Sequence, residues 1–115
     1  MTTHPCYPDL LQTGHPEHDA WRVRNTNFLI ACNGNGGSHG YDLLLLDGST
    51  PAFSILQDQS PEACRARLAK LLTDRDYLAT FHQSVWSRLV HDSRTPDAVR
   101  GWCLDLLDKE WWWPR

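Results

Sequence analysis

Two short apolar runs, Phe28 to Cys32 and Leu43 to Leu46, stand either side of a loop that contains four glycines, Gly34, Gly36, Gly37 and Gly40. The first run is partly β-branched and stops at Asn33-Gly34, a pair that tolerates positive φ and often closes hairpins. This pattern predicts strands over Phe28–Cys32 and Tyr41–Leu46. A helix from Asp19 to Cys32 is the competing reading, because Trp21, Phe28, Leu29 and Cys32 fall on one helical stripe. Asn25-Thr26-Asn27 argues against it, since these side chains compete for backbone hydrogen bonds inside a helix. A third strand is expected over Ala52–Leu56, joined to the second through Asp47-Gly48 and Pro51, which suit a tight turn. The middle of the chain therefore reads as a three-stranded antiparallel meander.

The C-terminal half changes period. Ser60, Pro61 and Glu62 supply an N-cap, a first-position proline and an acid at the positive end of the helix dipole. Cys64, Leu68, Leu71 and Leu72 then form one apolar face. Thr95, Pro96 and Asp97 repeat that opening before a stripe of Val99, Trp102, Cys103, Leu106 and Leu107. Between them, Leu78, Phe81, Val85, Leu89 and Val90 predict one helix over Asp76–His91. Residues 1–20 hold Pro5, Pro8, Gly14 and Pro16 among polar residues and read as irregular. The expected fold class is α+β, with a three-stranded antiparallel β-meander packed against three C-terminal α-helices. A chain of 115 residues is long enough for one proper core, so a single domain over 1–115 is expected, with the meander at 28–56 and the helical part at 60–113.

The glycine loop is not a phosphate cradle. A P-loop requires Gly-Lys followed by Ser or Thr, and the first lysine of this chain is Lys70. The dinucleotide pattern fails because His39 stands where the third glycine belongs and a strand follows where a helix should begin. The loop is read as a hairpin connection.

Charge and cysteines narrow the function classes. Residues 1–59 carry six acids against two bases, and residues 60–115 carry eight acids against nine bases. A formal charge of −3 without a Lys/Arg cluster lacks the footprint of direct nucleic-acid binding. Cys6, Cys32, Cys64 and Cys103 are widely spaced and read as free thiols. No run approaches a membrane span, and the N-terminal residues lack a signal-like pattern, so a cytoplasmic location without membrane association is expected.

His15 and His18, with Cys6 and Asp19 nearby, are the weak candidates for metal ligands, and no cofactor is otherwise implied. His39 and His82 complete the histidines that a small metal-dependent or hydrolytic enzyme could use; no nucleophile–base pair accompanies them, and no catalytic residue is assigned. Trp111, Trp112 and Trp113 point about 100° apart on a helix, as a lid over the core or as an aromatic anchor in an interface. Asp42, Asp47 and Asp58 give the meander an acidic character suited to steering toward a basic partner.

The run from Asn27 to Leu72 resembles the second half of the SUKH superfamily pattern: strand, glycine-rich turn, strand ending in Leu-Asp, further strand and amphipathic helix. Asn33 to Gly37, Leu44 to Asp47, Phe53 and Leu68 to Leu72 carry the likeness. Two departures are the missing long N-terminal helical region and the helices beyond Leu72. The resemblance implies an α+β immunity protein that binds and neutralises a polymorphic toxin. The expected function is accordingly a non-enzymatic protein-binding module, a cytoplasmic immunity protein acting in interbacterial competition. Its partner would be a basic toxin domain, contacted through Asp42, Asp47, Asp58 and Trp111 to Trp113. The alternatives are the small enzyme, a phage or secretion adaptor, and a homodimer formed through the tryptophans.

Overall fold

A computed structural model describes residues 3–13, 19–33, 39–47 and 50–108, without the side chains of residues 47 and 50–53. The chain divides into two compact units, Met1–Leu68 and Ala69–Arg115.

The first unit contains five strands, β1 (Leu10–Gln12), β2 (Ala20–Val23), β3 (Phe28–Cys32), β4 (Tyr41–Asp47) and β5 (Thr50–Asp58), in spatial order β1-β2-β3-β4-β5. Every neighbouring pair is antiparallel. The class is α+β, but the expectation of a three-stranded sheet with three helices is overturned, because among the described residues the sheet has five strands and four helices follow. The missed strands, β1 and β2, have only three and four residues, too few for alternation to stand out beside prolines. The polar triplet that argued against a helix builds their link to β3. The Thr26 amide donates to the Val23 carbonyl at 3.3 Å, with Asn25 at φ 60° inside the turn. Thr26 Oγ1 also donates to Val23 O and accepts from the Phe28 amide. Asn is among the few residues that occupy this left-handed region readily.

Register explains burial. Trp21, Ile30, Leu43 and Leu56 lie across one face, with Leu10 opposite Val23 and Phe28 opposite Leu45. Leu10, Ile30 and Leu43 are fully buried there. Helix α1 (Pro61–Thr73) follows β5, and its Ser60 cap accepts from the Ala63 amide at 3.1 Å. Cys64 and Leu68 are buried on its inner face, and Cys64 Sγ reaches the Tyr41 carbonyl at 3.6 Å.

Both sheet edges are guarded. Thr3 bridges Leu11, and His4 N donates to Leu10 O, so the N-terminal segment covers β1. On β5, Ile55 and Ala52 fall between matched pairs as bulges, Pro51 has no N–H, and Arg67 donates to the Gln57 carbonyl. Bulges and proline are devices that keep an edge strand from pairing with another chain. The glycine loop joins antiparallel neighbours as expected of a hairpin connection. Gly40 has φ +87°, and a Cβ there would lie 2.7 Å from Asp58 O. Gly34, Gly36 and Gly37 lie outside the described residues.

The second unit carries α2 (Arg75–Ala79), α3 (Gln83–His91) and α4 (Asp97–Leu107). The single helix expected over Asp76–His91 is two helices. The Leu78 carbonyl accepts from the Phe81 amide at 3.1 Å and from the Trp86 indole at 2.7 Å, which takes up the acceptor a continuous helix would offer to residue 82. His82 then caps α3, its side chain accepting from the Ser84 amide. Leu71, Leu78, Val85, Trp86, Leu89, Val99, Cys103 and Leu106 are the buried apolar residues described in this unit. The expected Thr95 cap is also corrected. Pro96 occupies the N-cap position without a side-chain bond, while Thr95 is buried, with its amide donating to Asp92 O.

Candidate functional site

A polar cluster of the first unit joins the N-terminal segment to the first turns of α1. His4 is only 6% exposed, and its Nε2 lies 2.7 Å from Glu62 Oε1. Its Nδ1 accepts the Cys6 amide at 3.0 Å. An amide can only donate, so Nδ1 is unprotonated and the network assigns the ring proton to Nε2. Glu62's own backbone amide, and then His4, hold its carboxyl below the usual range, which fits a carboxylate accepting that proton. Both imidazole nitrogens are therefore engaged in fixing the segment.

Arg65, one turn further along α1, grips Asp9 through Nε at 3.1 Å and Nη2 at 2.6 Å, and its guanidinium lies 5.5 Å from the Tyr7 ring centre. The hydrogen bond from Arg65 holds the Asp9 carboxyl below its ordinary value against the opposing effect of burial. The His4 ring meets Trp21 edge-on at 5.2 Å, a geometry favoured by the ring quadrupoles. Sequence reasoning missed this cluster because its members come from residues 4–9, 21 and 62–65; the Glu62 and Arg65 spacing on one helix face was its only local signal.

Other reactive groups are held back by their surroundings. Burial pushes the Cys64 and Cys103 thiols up to about 11, far from the thiolate form a nucleophile requires. Tyr41 Oη donates to the Asp19 carboxylate, and burial together with that carboxylate raises the phenol well above its usual range.

The acidic residues singled out from sequence do not share one surface. Asp42 pairs with Gln57 and Asp58 with Tyr41, so the two side chains project to opposite faces of the sheet. Asp58 lies 3.6 Å from Arg67 and accepts from the Gln59 amide. Asp42 is partly exposed and accepts from Ser54 Oγ at 3.4 Å. Asp47 ends β4 opposite Thr50, its side chain outside the described set. His15, His18 and Trp111 to Trp113 also lie outside the described residues. His39 is exposed, with its amide on Asn33 O, and His82 serves as the α3 cap. Among the described residues, no three His, Cys, Asp or Glu side chains converge as a metal site, and no helix is long and apolar enough to cross a membrane.

The sheet face turned away from Ile30 and Leu43 has an unusual composition. Its register sets Leu11, Arg22, Leu29, Leu44 and Ser54 in one row, and Ala20, Ala31, Asp42 and Gln57 in the next. Leu11, Leu29 and Leu44 are partly exposed. Antiparallel sheets with one solvated face usually alternate apolar-in with polar-out. Arg22 is fixed within the row by donating to Thr26 O at 2.9 Å. The face thus combines a partly exposed aliphatic row with a carboxylate, Asp42, in the neighbouring row.

No protein-family model, curated protein or solved structure gives a significant match to this chain.

Proposed function

We propose that the chain is a protein-binding module, and that its partner is a basic toxin domain which it neutralises in the cytoplasm, as the SUKH-like run from Asn27 to Leu72 implies. The observation that carries the reading is the partly exposed row of Leu11, Leu29 and Leu44 on a fixed sheet, flanked by Asp42. Aliphatic contacts on such a face supply the desolvated centre of an interface, and Asp42 supplies part of the charge that orients a basic partner.

The test is recovery of the tagged protein from its native cell, a high-salt wash, and assay of any retained protein's activity with and without this chain. Stoichiometric retention of a basic protein whose activity is blocked supports immunity. Retention without inhibition makes the chain an adaptor, and recovery of the chain alone removes the binding reading.

A further inference from the structure

We draw no further inference here: the strongest candidate, the polar side-chain cluster at the end of the sheet face that carries Ile30 and Leu43, where Cys32 stands opposite Tyr41 and Tyr41 Oη donates to Asp19, supports no site, because the phenol and the carboxylate engage each other and nothing in the structure shows what ligand the remaining thiol would meet.

Discussion

His4 Nε2 lies 2.7 Å from Glu62 Oε1, linking residues 58 positions apart, while the same ring accepts the Cys6 amide on its other nitrogen. A buried imidazole that bonds at both nitrogens fixes the N-terminal segment to α1 and thereby keeps Thr3 and His4 along the edge of β1. The sheet edge therefore depends on a side chain remote in sequence.

His4→Ala should cost about 2 kcal/mol, from the lost charge-assisted bond, the orphaned Cys6 amide and the vacated contact with Trp21. Urea unfolding measures it. Nitrogen NMR should find the proton on Nε2; a proton on Nδ1 would contradict the assigned network. Greater exchange at the Leu11 and Arg22 amides is expected in the variant as the β1 edge loosens.

Opposite signs are expected at two glycines. Gly40→Ala places a methyl 2.7 Å from the Asp58 carbonyl at a φ of +87° and should lower stability by about 2 kcal/mol. Gly101→Ala adds its methyl to open space within a helix and should raise stability by about 1 kcal/mol. Thermal melts of the two variants test both; a loss at Gly101 would mean that the α4 backbone is not helical there.

The contrast shows which parts of the fold are readable from neighbours in sequence. Phe28–Cys32 ends at a turn pair and emerges as β3 with those bounds, and Ser60-Pro61 opens α1 as local capping chemistry predicts. The break between α2 and α3 was not readable, because the acceptor at Leu78 is taken up by an indole eight residues away. Thr95 failed as a cap for the same kind of reason: burial and a turn to Asp92 claimed it first. The sheet's aliphatic face became visible only with register, since β1 and β2 contribute Leu11 and Arg22 to it.

Trp86→Phe should isolate the helix break. The ring stays large and apolar, but the donor to Leu78 O is gone, leaving Phe81 N as a partner. A cost of about 1 kcal/mol is expected. The variant should also bring the Thr80 to His82 segment closer to helix, read from carbon chemical shifts. Unchanged stability and shifts would assign the break to Thr80, the C-cap of α2, and to the His82 cap of α3 alone.

The two faces of the sheet should respond differently to substitution. Leu43→Ala removes a fully buried side chain and should cost about 3 kcal/mol. Leu44→Ser, one residue on and facing the other way, should cost about 1 kcal/mol or less. It should nonetheless weaken binding to a retained partner about tenfold if the outer face is the contact. Equal affinity for Leu44→Ser and the parent chain moves the interface off this face.

Acid should release the N-terminal segment with a definite sign. Asp9 and Glu62 both have carboxyls held below their ordinary values of 3.8 and 4.5. The unfolded chain consequently takes up these protons first, so the stability from the two pairs is fully present above about pH 5 and is lost as pH falls through the ordinary range toward the depressed folded values. Asp9 contributes the larger share, because Arg65 grips it with two nitrogens, whereas Glu62 is 47% exposed and screened by water. The double variant Asp9→Asn, Glu62→Gln should therefore show a shallower decline of unfolding free energy between about pH 5 and pH 3 than the parent chain. Added salt should narrow the difference through its effect on the exposed pair. Parallel declines in both proteins would show that these carboxylates titrate alike in folded and unfolded chains, and that the clamp rests on its neutral bonds and ring packing.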